Sequence, residues 1–79
     1  MNFYKELKHR VSRMELEGSI DLVSESLREL RRARVWLVDN KDKIIYYDER
    51  LNNIDKLVEE GEQMLARYRS ELAQMEGER

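Results

Sequence analysis

The residues with the most evident chemistry in this chain are arginines, four of which occur in the stretch RELRRAR. Guanidinium groups pair well with phosphates, so a helix presenting Arg28, Arg31, Arg32 and Arg34 on one face would suit RNA or DNA. The isoelectric point of about 5.5 opposes this interpretation, because dedicated nucleic-acid binders are basic and acidic neighbours repel phosphate. Nucleic-acid binding is therefore kept as the alternative, and ion pairs inside a helical bundle are favoured.

The sequence contains no recognisable set of catalytic residues. His9 lies between Lys8 and Arg10, with no carboxylate beside it to orient a general base. A structural zinc site needs Cys or clustered His, and the chain has one His and no Cys. Phosphate loops, HExxH helices and calcium loops are absent from the sequence. We therefore expect no enzyme activity, no catalytic residues, and no cofactor, metal or small-molecule ligand.

The length and composition of the chain point towards self-association. Its 79 residues make one domain, and a domain of this size usually needs disulfides, a metal or a partner chain for stability. Because the chain has no Cys and a single His, association with a partner chain is the remaining way to stabilise the fold. Charged residues make up 41% of the chain with a net charge of only −2, which is typical of paired charges on exposed helices.

Targeting signals are not evident in the sequence. A signal peptide needs a charged segment followed by an apolar one, and no such pair is seen. The apolar runs are far too short to span a membrane. The absence of Cys fits a reducing compartment, so we expect a cytoplasmic protein that does not contact membranes.

The centre of the chain, VWLVDNKDKIIYY at residues 35–47, favours β structure when it is considered alone. Val, Trp, Ile and Tyr are strand-prone, and the Asp and Asn between them suit a turn. The stretch resembles the opening strands of a PAS sensory domain, in which two apolar strands flank an Asp. This resemblance implies a β-hairpin within a sensory fragment, which we keep as the third hypothesis.

A longer pattern in the second half of the chain indicates a helix. Apolar or aromatic residues recur at alternating spacings of three and four, with Gly61 filling one place. The positions are Ile44, Tyr47, Leu51, Ile54, Val58, Gly61, Leu65, Tyr68, Leu72 and Met75. We therefore predict a helix from about Asn40 to about Met75, with Asp39 as its N-cap and Asp42 completing a capping box.

In the first half of the chain, apolar residues also recur at alternating spacings of three and four, but in two separate pieces. The first comprises Tyr4, Leu7, Val11 and Met14, and the second comprises Ile20, Val23, Leu27, Leu30 and Leu37, with Arg34 in the remaining place. The phase slips between the pieces, where Gly18 weakens the helix and Ser19 could cap a restarted one. We therefore expect a kink or a short break near Gly18.

These patterns predict an all-α, antiparallel helical hairpin with arms at about 2–38 and 40–76 and a turn at about 39–42. In this register Tyr4 faces Met75 and Gly18 faces Gly61. The heptad spacing also continues through the turn from Leu37 to Ile44, so one continuous helix that pairs with a second chain is an alternative.

Several apolar residues lie outside these stripes and would form a second apolar surface. We expect this surface to join two hairpins in a four-helix bundle or antiparallel coiled coil. The predicted interface residues are Trp36, Tyr46, Val35, Ile45, Leu57 and Leu22, with the two large aromatics as anchors. Refolding of residues 2–17 onto the surface, which would give a three-helix bundle, is the alternative.

The expected function follows from this architecture. We expect a non-enzymatic interaction module, acting as a scaffold, adaptor, chaperone-like or regulatory protein through contact with a second copy or another helical protein. The basic segment 5–13 of a second chain would suit the acidic zone at 55–62. A nucleic-acid-binding bundle, similar in architecture to Rop, is the second hypothesis.

Overall fold

The chain forms two long helices in a computed structural model that describes residues 2–77. Helix α1 spans Phe3–Asp39 and helix α2 spans Tyr47–Gly77, with a 3₁₀ turn at Lys41–Lys43 between them. The molecule is a rod with extents of 64 × 14 × 14 Å. The predicted all-α helical hairpin is confirmed.

Two alternatives for the centre of the chain are wrong. Residues 35–39 continue α1, and no strand occurs in the part of the chain that the structure describes, so the β-hairpin of the PAS-like hypothesis is not formed. The chain also reverses direction after α1, because Arg13 reaches Glu76 and Arg34 reaches Asp55. One continuous helix through the centre would hold these partners far apart.

Asparagines close both ends of α1. The side chain of Asn2 accepts hydrogen bonds from the backbone N–H groups of Tyr4 and Lys5 at 3.0 and 3.4 Å, as an N-cap does. At the other end, Asn40 donates from its side chain to the carbonyl of Trp36 at 2.8 Å. The bonds to Asn2 satisfy backbone N–H groups that the helix leaves unpaired, whereas the side chain of Asn40 adds a second bond to a carbonyl that already accepts from the Asn40 backbone N–H.

Helix α2 begins later than predicted, at Tyr47 instead of Asn40. Asp39 is the last residue of α1, so it is not an N-cap and forms no capping box with Asp42. Ile44 is half-buried in an extended conformation, so it fits the apolar spacing without being helical. The chain needs these additional residues because it must cross the roughly 8–10 Å between two packed helix axes.

The later start of α2 changes the register of the hairpin. Gly61 lies against Leu27 and not against Gly18, because a Cβ atom at Gly61 would stand 2.7 Å from Cδ2 of Leu27. Tyr4 likewise does not face Met75, since Glu76 already pairs with Arg13. The predicted facing pairs are therefore wrong, although the stripes of α2 and of the second half of α1 are correct.

Helix α1 is uninterrupted through Gly18, so the expected break does not occur and residues 2–17 do not fold back onto the hairpin. The narrow rod also excludes a sharp bend. Contacts hold α1 along α2 on both sides of this glycine, through Arg13 on one side and Leu27 on the other. A single glycine weakens a helix but need not interrupt one that is packed along its length.

The core of the hairpin is thin. Within residues 2–77 only Leu27 and Leu37 are buried, with 2% and 5% of their surfaces exposed. The predicted stripe of α2 is half-buried throughout, at Tyr47, Leu51, Ile54, Val58, Gly61, Leu65, Tyr68, Leu72 and Met75. Because only two helices pack together, most apolar side chains of the seam are covered on one side by the other helix and remain exposed to solvent on the other.

Candidate interaction surfaces

One side of the hairpin is closed by ion pairs between the helices, and we call it the arginine side. Its pairs are Arg13–Glu76 at 3.0 Å, Arg31–Glu62 at 3.0 Å and Arg34–Asp55 at 2.7 Å. The acidic partners recur at multiples of seven residues along α2, which places them on one side of that helix. All six side chains are partly exposed, so each pair adds little stability but helps to fix the register.

The Arg34–Asp55 contact is the shortest of these pairs. Arg34 Nε donates a hydrogen bond to Oδ1 of Asp55, and this bond, together with the charge of the carboxylate, raises the pKa of Arg34 above its ordinary value. A raised folded-state pKa in a base contributes stability below that pKa for as long as the acidic partner is charged, and the contribution is lost as pH rises through the pKa. The Arg34 guanidinium therefore remains charged at every pH of physiological interest.

The predicted arginine face is largely engaged in ion pairs. Arg28 bonds to Glu25 at 3.0 Å, and Arg31 and Arg34 bond to α2 as described. Arg32 makes no ion pair within residues 2–77. It lines an open groove of about 710 Å³ on the arginine side together with Arg28, Arg31 and Arg69.

The opposite side of the hairpin, which we call the serine side, has small residues along α1. Ser12 and Ser19 line a groove there with Glu71 and Met75 of α2. Ser26 and Ala33 continue their row at intervals of seven residues. No ion pair between the helices closes this side in the part of the chain described.

Four exposed apolar residues flank the serine side. Leu22 and Trp36 lie at heptad intervals from Glu15 of α1, and Leu57 and Met64 lie at heptad intervals from Glu71 of α2. Both glutamates line the groove on this side, so the apolar residues share it. Trp36 is 61% exposed, which is a large exposure for the only Trp of the chain.

The six predicted interface residues are all exposed, but they do not form one surface. Three of them, Leu22, Trp36 and Leu57, belong to the serine side. Val35 lines the groove on the arginine side. Ile45 and Tyr46 lie in the connection at the end of the rod, where Tyr46 has a φ of 57°.

Another apolar surface lies on α1 near its N-terminus, and we call it the N-terminal stripe. Its residues are Tyr4, Leu7, Val11, Met14 and Gly18. Tyr4 and Met14 are 70% and 69% exposed, and Leu7 and Val11 are about half exposed. In an α-helix with about 100° per residue, the stripe lies some 160° from the seam of the hairpin.

The sequence pattern assigned the N-terminal stripe to the seam, and this assignment is wrong. A break at Gly18 would have let the first piece rotate into the seam, whereas a continuous helix carries the phase slip around to the outer face. The half-buried positions of this region are His9, Ser12, Arg13 and Leu16. Three of these four residues are polar, so the apolar spacing did not reveal that they face α2. The phase slip between Met14 and Ile20 was the sequence signal that the apolar residues before it lie on a different face of α1.

Comparison with protein-family models, curated proteins and solved structures finds no match to this chain. Neither helix carries a stretch that is long and apolar enough to cross a membrane, over the residues described. The same residues contain no cluster of His, Asp or Glu arranged to hold a metal ion. The exposed apolar surfaces are therefore the features on which a function can be argued.

Proposed function

We propose that this protein is a non-enzymatic interaction module whose helical hairpin associates with a second copy of itself. Such a module would act as a scaffold, adaptor, chaperone-like or regulatory protein, and another helical protein could take the place of the second copy. The observation that carries the proposal is the imbalance between the two buried side chains of residues 2–77 and the apolar side chains exposed on the serine side, on α1 near its N-terminus and at the end of the rod.

The exposed area of the hairpin supports this proposal quantitatively. The chain exposes 6644 Å², whereas a folded monomer of 9.6 kDa exposes about 5,100 Å² on the usual scaling with mass. The excess is about 1,500 Å², and a standard protein interface covers about 800 Å² on each partner. A second copy could therefore cover enough surface to give the hairpin an ordinary degree of burial.

The serine side is the surface that best suits a four-helix bundle. Ser12, Ser19, Ser26 and Ala33 are small enough to let another helix approach α1 closely, and no ion pair between α1 and α2 crosses that side in the described chain. Trp36 and Leu57 would then be buried between the two hairpins as anchors. Tyr46 and Ile45, at the end of the rod, would contribute to the rim of this interface.

The proposal is tested by measuring the mass of the purified protein by sedimentation equilibrium over a wide range of concentration. We expect at least twice the monomer mass of 9.6 kDa, decreasing on dilution. Trp36→Glu should lower the mass, and Gln63→Glu, a matched change on the exposed outer face of α2, should not. A wild-type protein that stays monomeric at every concentration would refute self-association, and an unchanged mass in Trp36→Glu would remove the serine side.

One observation favours nucleic-acid binding as the second candidate, because Arg28, Arg31, Arg32 and Arg69 converge on one groove. Ion pairs engage Arg28 and Arg31, and the net charge of −2 opposes binding. Titration of labelled RNA and DNA at low salt tests this candidate. Retardation that Arg32→Glu and Arg69→Glu abolish would support it, and no retardation at low salt would remove it.

A further inference from the structure

The N-terminal stripe is apolar, continuous and uncovered by the described part of the chain. Arg13 already pairs with Glu76, next to the end of α2 at Gly77, so the first turns of α1 lie beyond the end of α2. The spacing of the stripe is that of a coiled-coil seam. Its apolar residues alternate at intervals of three and four, as they do in the seam that α2 contributes to the hairpin.

Gly18 is the residue of the stripe that the hairpin alone does not explain. A Cβ atom at Gly18 would meet nothing within 4 Å, so no contact inside the hairpin requires a glycine there. Gly61 differs, because it leaves space for the side chain of Leu27. Glycine weakens a helix interior, and the precedent of Gly61 indicates that Gly18 leaves space for a large side chain from outside the hairpin.

We propose that the N-terminal stripe pairs antiparallel with the same stripe of a second copy, about a two-fold axis near residues 12 and 13. In this arrangement Val11 packs on Met14 of the second copy, and Leu7 fills the space above Gly18 of the second copy. A parallel arrangement would place the two glycines opposite each other and leave a gap. The contact is separate from the serine side, so it goes beyond the function proposed above.

The charges that flank the stripe are complementary in the antiparallel arrangement. Lys8 and Glu15 lie one heptad apart along one flank, and Arg10 and Glu17 lie one heptad apart along the other. Antiparallel helices bring each flank against the same flank of the partner, so Lys8 meets Glu15 of the second copy. Arg10 and Glu17, which pair with Glu6 at 3.6 Å and with Arg13 at 3.1 Å inside the hairpin, would exchange these partners and meet each other between the copies. The two-fold axis repeats both pairs, which specifies the register as well as the orientation.

The exposed area leaves room for this second contact. The excess surface of about 1,500 Å² is roughly twice the area that one standard interface covers on each partner. The two surfaces share the row of Glu15, which lines the groove of the serine side. Trp36 lies about 27 Å further along α1 than Gly18, so a hairpin bound at Trp36 leaves the stripe accessible. Two self-complementary contacts on one chain build assemblies larger than a dimer as the protein concentration rises.

Disulfide trapping tests the proposal directly, because the chain contains no Cys. Single-cysteine chains Leu7→Cys and Gly18→Cys are mixed and oxidised in dilute glutathione. We expect the mixed disulfide to exceed either homodimer, whereas Leu7→Cys mixed with the control Gln63→Cys, on the outer face of α2, should give only background. Excess Leu7–Leu7 homodimer would show parallel pairing, and mixed product at the control level would show no pairing; either result overturns the proposal.

Two further sets of variants separate this contact from the serine side. Met14→Glu should remove only the stripe contact, Trp36→Glu only the serine-side contact, and the double variant should be a monomer. If Met14→Glu leaves the mass of the Trp36→Glu background unchanged, the stripe proposal fails while the serine side is unaffected.

A charge exchange tests the register of the stripe contact. Lys8→Glu and Glu15→Lys should each weaken the stripe dimer about tenfold, and the double exchange should restore its affinity. If the double exchange does not restore the affinity, the proposed register is wrong.

Discussion

Gly18 and Gly61 differ in what surrounds them in the hairpin. At Gly61 a methyl group would stand 2.7 Å from Cδ2 of Leu27, which is itself one of the two buried side chains among residues 2–77. At Gly18 a methyl group would meet no atom of the described chain within 4 Å. The same substitution should therefore have opposite effects at the two positions.

We expect Gly18→Ala to raise the free energy of unfolding by about 0.5–1 kcal/mol, since alanine is the better helix former. Gly61→Ala should lower it by roughly 1 kcal/mol, because displacing Leu27 outweighs the same gain in helix propensity. Urea unfolding followed by circular dichroism, in the Met14→Glu background that disables the stripe contact, gives both values. Equal effects at the two glycines would show that Leu27 does not pack on Gly61.

The backbone of Tyr46 is a second special feature at the residue scale. Its φ of 57° lies in the left-handed region, and its carbonyl accepts the first hydrogen bond of α2, from the N–H of Arg50 at 3.0 Å. Tyr46→Gly and Tyr46→Ala both remove the ring, but only glycine adopts this φ without strain. We expect the glycine variant to be more stable by about 0.5–1 kcal/mol in urea unfolding; equal stabilities would contradict a left-handed Tyr46.

At the scale of the elements, most of α2 and the second half of α1 could be predicted from apolar spacing alone. Ile20, Val23 and Leu30 are half-buried, and Leu27 and Leu37 are buried, as their stripe indicated. The ends of the helices could not be placed, because Ile44 continues the spacing while it lies outside both helices. Periodicity records which residues face a partner, but it does not record where the backbone stops being helical.

The first piece of α1 shows a second limit of periodicity. Leu7 and Leu37 both belong to well-spaced stripes, yet Leu37 is 5% exposed and Leu7 is 48% exposed. Spacing shows that a face is apolar, and only the phase relative to the rest of the helix tells which partner it meets. The exposure of Leu22, Trp36 and Leu57 could be predicted for a related reason, because these residues lie outside every stripe.

We expect Leu37→Ala to lower the free energy of unfolding by about 2–4 kcal/mol, as for other buried leucines. Leu7→Ala should change it by less than about 0.5 kcal/mol when the stripe contact is already removed by Met14→Glu. Chemical unfolding of the two variants in that background is the measurement. A large loss for Leu7→Ala would place this leucine in the hairpin core after all.

At the scale of the whole molecule, the stability of the fold is expected to depend on the proposed self-association. Among residues 2–77 the hairpin has few buried side chains of its own, so the proposed contact with another copy would add a large share of the burial. The midpoint of thermal unfolding should therefore rise with protein concentration, by about 5 °C for each tenfold increase. Calorimetry over a hundredfold range of concentration measures this rise, and a constant midpoint would show that the chain folds as a monomer.

The position of the two buried leucines has a consequence for how the molecule opens. Leu27 and Leu37 both lie in the half of α1 nearest the connection, while the opposite end of the rod is tied by the exposed pair Arg13–Glu76. Local opening should therefore start at the Arg13–Glu76 end of the rod and progress towards the connection between the helices. Amide protons would exchange with deuterium fastest near residues 3–12 and 70–77, and slowest around Leu27 and its neighbours on α2.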